Sequence, residues 1–346
     1  MSDRVSGRVS EEKKSFASGV IVGKFSPLHR GHQLVIETAL AKCRHLTIIT
    51  YSEPEFVGCE LGRREKWLRA SYPQALVVGA TNAPPNDASE IEHRDYVARV
   101  AREIARDHGL ELFDAVFTSE DYGNGFAAHL SRAFGKPVTH VSVDRDRLQV
   151  PISGTKLRED VHANRKFLSP LVYADFVETV CFLGAESSGK STIAKACAER
   201  FGSAHVDEYG RTLSEERDQK LFLEDMITIA HRHIDDEERL RGLANRYLFV
   251  DTSPLTTKFY SGALFGEVVP ELEALSSRRY DHVFLCGIDF PLVQDGTRQG
   301  EEFRRKQQDF YLRELPKLGW NYTLLEGPLE ERLLTVSRVL DTRSLR

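Results

Sequence analysis

The run Gly184-Ala185-Glu186-Ser187-Ser188-Gly189-Lys190-Ser191 fits G-x-x-x-x-G-K-[ST] at every position, follows an apolar stretch and opens a helix-period segment. Such a loop handles phosphate. Its glycines let backbone N–H groups close around phosphate oxygens, the helix N-terminus adds positive potential, and Lys190 neutralises the β- and γ-phosphates. Ser191 is placed to ligate Mg²⁺, Thr192 continues the loop, and the triphosphate implied is ATP. A second carboxylate near the metal is offered by Asp251, which ends the apolar run Tyr247–Asp251 as a Walker B element does; alone it reads equally as a helix N-cap. Asp207-Glu208-Tyr209-Gly210-Arg211 follows the next strand candidate, where Asp207 and Glu208 can hold ribose hydroxyls or take a proton, or simply face solvent. Arg298 lies in the stretch 294–300, rich in glycine and ahead of an arginine-rich helix with Arg304 and Arg305. It suits a lid over the triphosphate, or a plain surface loop. His231-Arg232-His233 reads as a solvated helix face and receives no role.

A second phosphate-handling pattern stands near the start of the chain. Gly23-Lys24-Phe25-Ser26-Pro27-Leu28-His29-Arg30-Gly31-His32 has the form G-x-F-x-P-x-H-x-G-H, again between a strand and a helix. His29 and His32 share one face of the helix start, can donate to phosphate oxygens, and sit where the helix dipole favours an anion. Gly31 lets a nucleotide approach the backbone. Ile152-Ser153-Gly154-Thr155-Lys156-Leu157-Arg158 opens another short helix, with Ser153 and Thr155 as hydrogen-bonding partners and Arg158 as a counter-charge for phosphate. Taken alone, each has a plainer reading: a capping and a core histidine in the first, a serine N-cap with exposed basic residues in the second.

The elements that must carry these residues follow from periodicity. At 346 residues the chain suggests two domains, each large enough for its own core. Apolar runs alternate with helix-period segments, the pattern of parallel α/β folds. Strands are expected at Gly19–Gly23, Leu46–Tyr51, Leu76–Gly79, Ala115–Ser119 and Pro137–Val143, with helices such as Gly31–Cys43 and Ile91–His108 between them. A second set is expected at Thr179–Gly184, Ala204–Asp207, Tyr247–Asp251, His282–Cys286 and Tyr322–Glu326, with helices beginning near Gly189, Gln219, Ser253, Glu301 and Pro328. Residues 1–18 read as a mobile tail, 19–173 and 174–346 as the two domains. The net charge of −5 gives nucleic acid no general footprint, and no stretch approaches the 18 apolar residues of a membrane span. Five scattered cysteines without metal-ligand spacing favour reduced, buried thiols and a cytoplasmic protein.

Together the HxGH and ISxTxxR elements resemble the nucleotidyltransferase superfamily, and their fusion to a P-loop domain resembles the bifunctional NadR family. Further echoes are Glu208-Tyr209-Gly210-Arg211, Val250-Asp251-Thr252 with Thr256-Thr257, and Asp295-Gly296 with Arg298. The resemblance implies an N-terminal Rossmann-like adenylyltransferase and a C-terminal nucleoside kinase, both with parallel sheets. It implies that the kinase makes nicotinamide mononucleotide (NMN) from nicotinamide riboside and ATP, and that the transferase joins NMN to ATP, giving NAD and pyrophosphate. His29, His32, Arg158, Lys190, Asp251 and Arg298 would be catalytic. ATP would be held by Gly23, Lys24, Phe25, Ser153 and Thr155 at one site, and by Gly184, Glu186, Ser187, Ser188, Gly189, Ser191 and Thr192 at the other. Glu208, Tyr209 and Arg211 would take the nucleoside, and Ser191 and Asp251 the Mg²⁺. Only about 18 polar residues precede the first strand, too few for the helix-turn-helix of repressor members, so no nucleic-acid partner is expected; a homo-oligomer is open. The alternatives are a fusion acting on another nucleoside or mononucleotide, or a nucleotide sensor with weak turnover.

Overall fold

The computed structural model describes residues 14–292 and 299–343. The chain divides into two compact units, Met1–Val172 and Tyr173–Arg346.

The first unit is built on five parallel strands, β1 (Phe16–Gly23), β2 (Cys43–Tyr51), β3 (Leu76–Ala80), β4 (Ala115–Thr118) and β5 (Thr139–Ser142), in the order β3-β2-β1-β4-β5. The order reverses between β1 and β4, so the crevice for a ligand opens beyond the carboxyl ends of these two strands. Gly23 and Thr118 end there. The apolar runs of the central strands β1, β2 and β4 are buried on both faces, as parallel strands under helices must be, whereas the edge strands β3 and β5 are only partly covered. β1 starts at Phe16, three residues earlier than expected, so the end of the expected 1–18 tail belongs to the sheet. The cause is polar: the Asp114 carboxylate accepts from the N–H groups of Ala17 and Ser18, both at 3.0 Å. The helix Glu90–His108 starts at a Ser89/Glu92 capping box and lays Tyr96, Val97, Ala101, Ile104 and Ala105 on the core.

The second unit is also a five-stranded parallel sheet: β6 (Glu178–Gly184), β7 (His205–Val206), β8 (Tyr247–Asp251), β9 (His282–Cys286) and β10 (Thr323–Leu325), ordered β10-β9-β6-β8-β7. β6 is central. Its Phe182 ring stacks between Phe249 of β8 and Phe284 of β9, with centroids 6.4 and 5.6 Å away. The loop after β6 therefore leaves a fully packed strand, flanked by the loops after β8 and β9. Two expectations need correction. β7 has two residues instead of four, and a short helix, Tyr209–Glu216, occupies a stretch where none was expected, so the next helix starts at Leu223 instead of Gln219. Glycine and two β-branched or charged neighbours hide that short helix, whose only buried residue is Leu213. The five cysteines are all buried and free, and no helix among the described residues is long and apolar enough to cross a membrane.

Two candidate active sites

In the second unit the loop 184–189 carries the expected P-loop geometry. Gly184 sits at φ 142° with the Cys286 carbonyl 2.8 Å from where a Cβ would stand, so no other residue fits. Ser187 and Gly189 are also left-handed, at φ 55° and 83°. Lys190 opens the helix Lys190–Phe201, and its buried Nζ donates to the Ala185 carbonyl at 3.0 Å.

The loop is braced from behind by side chains to which sequence gave no such role. Gln308 and Gln307 accept the N–H groups of Ala185 and Glu186, at 3.2 and 2.8 Å. Arg304 donates to the carbonyls of Glu186, Ser187 and Phe290 at 3.1, 3.2 and 2.9 Å, and Arg332 to that of Ser188 at 2.8 Å. Arg304 is 1% exposed. It is a strut of the P-loop and not a lid cation, because a guanidinium can fork its donors across several carbonyls at once. Arg298 and its neighbours Asp295 and Gly296 lie outside the described residues. Ser188 is fully buried, while Thr192 is exposed at the helix surface.

Asp251 ends β8 beneath this loop, 2% exposed, sharing a hydrogen bond with Ser191 while its Oδ1 has no partner. Burial and the charge of Glu208 push its carboxyl up to about 6, against the pull of Lys190 and Ser191. An orphaned carboxylate oxygen beside a serine hydroxyl suits a hard cation that takes its other ligands from phosphate and water, as Mg²⁺ does. A cavity of about 720 Å³ opens from here, lined by Lys190, Glu208, Tyr209, Arg211, Thr257 and Tyr260 among others. Glu208 precedes the short helix and pairs with Arg211 at 3.5 Å. Glu186, expected at the ATP, accepts from the Tyr260 hydroxyl at 2.9 Å and the Gln299 N–H at 3.2 Å and lines the same cavity as Lys190. Asp207 turns away, paired with Lys195 at 3.1 Å on the surface. His233, read as a solvated residue, is buried and lines the cavity.

In the first unit the two motifs meet. Arg158 donates to the Ser26 carbonyl at 2.6 Å and to Thr155 Oγ1 at 3.2 Å, 132 residues separating Arg158 from Ser26. His29 caps the helix Arg30–Lys42: its Nδ1 accepts from the N–H groups of Gly31 and His32 at 3.1 and 3.3 Å, which leaves the ring proton on Nε2 as a donor. The His32 ring stacks on His29, centroids 3.7 Å apart. Burial, with Arg147 nearby, lowers His29 to about 4, and burial with the His29 and Arg147 charges lowers His32 well below its ordinary value. Both rings are neutral donors, so positive charge must come from elsewhere. A cavity of about 540 Å³ gathers it: Lys24, Arg147 and Arg158 line it with His32, Ser153 and Thr155. Gly23 and Phe25 also line this cavity, and His29 caps the adjoining helix with its ring stacked on His32. Ser153 caps the helix Gly154–Glu159 by accepting the Lys156 N–H at 3.2 Å.

Two residues here escaped sequence reasoning. Arg147 reaches the cavity from a tight turn, itself at φ 52°, tied to Glu120 at 3.0 Å. Arg64 is fully buried and donates to the carbonyls of Lys24 and Tyr51 and to Thr50 Oγ1, bracing the loop in which Phe25 takes φ 50°.

A family model described as an AAA domain matches residues 179–332. The trifunctional NAD biosynthesis/regulator protein NadR of Escherichia coli strain K12 is 29% identical over 310 residues, covering 84% of this chain and 73% of the relative. Its namesake in Salmonella typhimurium strain LT2 is 29% identical over 312 residues, 83% of this chain and 73% of the relative. A solved NadR protein in complex with NAD and AMP-PNP superimposes with a TM-score of 0.70 at 19% identity, over 95% of this chain and 96% of its own. A NadR structure in complex with NR gives 0.69 at 20% identity, over 95% and 97%. The fold is shared, and the resemblance to the NadR family extends along most of the chain.

Proposed function

We propose that this chain performs two consecutive steps of NAD synthesis, phosphorylation of nicotinamide riboside by a kinase domain (174–346) and adenylyl transfer to the product by a transferase domain (19–173). The observation that carries the reading is that two separately assembled phosphate cradles stand at the carboxyl edges of two sheets in one chain. NadR relatives, named for NAD biosynthesis, and the NadR structures with NAD, AMP-PNP and NR support the choice of substrates.

In the kinase domain Glu208, with Tyr209 and Arg211, orients the nucleoside so that its 5′-hydroxyl attacks the γ-phosphorus of ATP in line and passes its proton to the Glu208 carboxylate, while the bond from the γ-phosphorus to the β–γ bridging oxygen breaks to release ADP. Lys190 and the N–H groups of Ser187 to Thr192 carry the charge that develops on the phosphoryl oxygens, joined by Arg298. Ser191 and Asp251 would hold Mg²⁺, which when bound neutralises the β- and γ-phosphates. In the transferase domain a phosphate oxygen of NMN attacks the α-phosphorus of a second ATP and pyrophosphate leaves, so no protein nucleophile is needed. Lys24, Arg147 and Arg158 neutralise the triphosphate, while His29 and His32 donate Nε2–H or its equivalent without carrying charge.

Chromatography of products tests both halves. Lys190→Ala is expected to stop conversion of nicotinamide riboside to NMN while leaving NAD formation from supplied NMN; His29→Ala is expected to do the reverse. Loss of both activities in either variant would overturn the assignment of one step to each domain.

A further inference from the structure

The P-loop contains a carboxylate. Glu186 stands four residues before Lys190, in a loop that gathers the negative charge of a polyphosphate, and a side chain of the same sign opposes that task. Its backbone is engaged elsewhere. The N–H donates to Gln307 Oε1 at 2.8 Å and the carbonyl accepts from Arg304 Nε at 3.1 Å, both in the brace behind the loop. What Glu186 offers the site is therefore its half-buried carboxylate.

That carboxylate is held in place. Oε1 accepts from the Tyr260 hydroxyl at 2.9 Å and Oε2 from the Gln299 N–H at 3.2 Å. Tyr260 comes from the helix Pro254–Phe265 and lines the cavity of about 720 Å³ together with Glu186, Lys190 and Glu208. Burial, with the charges of Glu208 and Glu186, keeps the Tyr260 hydroxyl protonated, so it serves as a donor. Among the described residues both donors to Glu186 are neutral, and each carboxylate oxygen has a second lone pair to offer. A fixed, charged acceptor of this kind binds a hydroxyl more strongly than a neutral one would.

The reach of the loop says which hydroxyl. Transfer takes place in front of Lys190, so the part of an acceptor nucleoside nearest the P-loop is its sugar, and the base lies farther out. With the 5′-hydroxyl at the γ-phosphorus and Glu208 taking its proton, the next hydroxyl is the one on C3′, beside the carbon that carries the reacting arm. We propose that Glu186 is a specificity-determining residue of the kinase site: its carboxylate accepts from the ribose 3′-hydroxyl of the nucleoside and so selects sugars that carry one. This rests on the reading of the second unit as a nucleoside kinase, and it moves Glu186 from the ATP to the acceptor. A carboxylate that served only to anchor Tyr260 would treat acceptors with and without that hydroxyl alike.

The test is a cycle of two chains and two sugars. kcat/KM is measured for nicotinamide riboside and for its 3′-deoxy form, in the unaltered full chain and in Glu186→Ala. The unaltered chain is expected to use the 3′-deoxy nucleoside about 10–100-fold less well, the worth of a hydrogen bond to a charged group, and Glu186→Ala to bring the two within about threefold. The 2′-deoxy nucleoside is the control, on which the substitution should act as it does on nicotinamide riboside itself. A 3′-deoxy penalty that survives in Glu186→Ala, no penalty in the unaltered chain, or coupling to the 2′-hydroxyl in place of the 3′ would overturn the inference. Melting curves and adenylyl transfer from supplied NMN identify a chain that failed to fold. Glu186→Gln then decides, because it keeps the shape and loses the charge: its 3′-deoxy penalty must be smaller by about threefold or more.

If the unaltered chain makes no NMN, the choice of nucleoside is what fails. The same cycle is then run on whichever of uridine, cytidine and adenosine is phosphorylated, against its 3′-deoxy partner. A penalty that Glu186→Ala leaves unchanged, or no acceptor among the three, counts against the inference.

Discussion

The two histidines of the HxGH loop illustrate how a side chain's surroundings redefine its chemistry. Their spacing reads as a phosphate site or as a capping and a core histidine, and the folded loop shows that His29 does spend one nitrogen on capping the helix and that burial keeps both rings neutral. The consequence for stability has a definite sign. His29 has an ordinary value of 6.5 and a folded-state value of about 4, so between these values the unfolded chain binds the extra proton first. The contribution is fully present above pH 6.5 and is lost as the pH falls toward 4. It amounts to roughly 3 kcal/mol at most, from 1.36 kcal/mol per unit. His29→Asn retains a good capping acceptor but does not titrate. Thermal melts of this variant from pH 7 to 4 are expected to show a shallower fall in stability than the parent, His32 supplying what remains. Its adenylyl transfer should drop by roughly 10²-fold or more through the missing donor. An unchanged pH slope would mean that His29 titrates normally in the folded chain.

At the scale of elements, sequence and structure part company where tertiary contact decides. The strands β6, β8 and β9 lie where their apolar runs predict, and the P-loop was legible because its motif encodes a backbone conformation. Arg304, Gln307, Gln308 and Arg332 were not legible, since the P-loop carbonyls and N–H groups they hold are more than 100 residues away, and their types alone read as solvated helix. The start of β1 was missed for a similar reason: Asp114 satisfies its backbone from a distant loop. The helix Glu301–Lys317 thus serves as scaffold for the phosphate loop. Arg304→Ala would leave the carbonyls of Glu186, Ser187 and Phe290 short of a donor in a buried site, a loss of roughly 3 kcal/mol or more. Arg304→Lys is expected to recover little, because an ammonium lacks the planar fork. Denaturant unfolding together with KM for ATP measures both effects; a lysine variant equal to the parent would refute the bracing role.

For the whole molecule, the important observation is that the described residues lining each candidate site come from a single unit. Arg158 reaches Ser26 inside the first, and Arg304 and Arg332 reach the P-loop inside the second. Each sheet also carries its own aromatic and aliphatic core, one around Val20, Phe113 and Val116, the other around Phe182, Phe249 and Phe284. Units built this way are expected to unfold in separate steps, since cooperativity follows shared burial. Ligand binding labels which step belongs to which unit: a compound that binds only one native unit stabilises it by RT ln(1 + [L]/Kd), about 2.7 kcal/mol at a hundred times Kd, and leaves the other step alone. Scanning calorimetry with and without nicotinamide riboside is therefore expected to resolve two transitions, of which one moves upward. That transition should be the one lowered by Arg304→Ala, while the other should be the one whose pH dependence His29→Asn flattens. If the nucleoside moves the transition that follows His29, the substrates have been assigned to the wrong domains; if a single transition responds to all three, the two sites share one cooperative unit and their steps cannot be treated as independent.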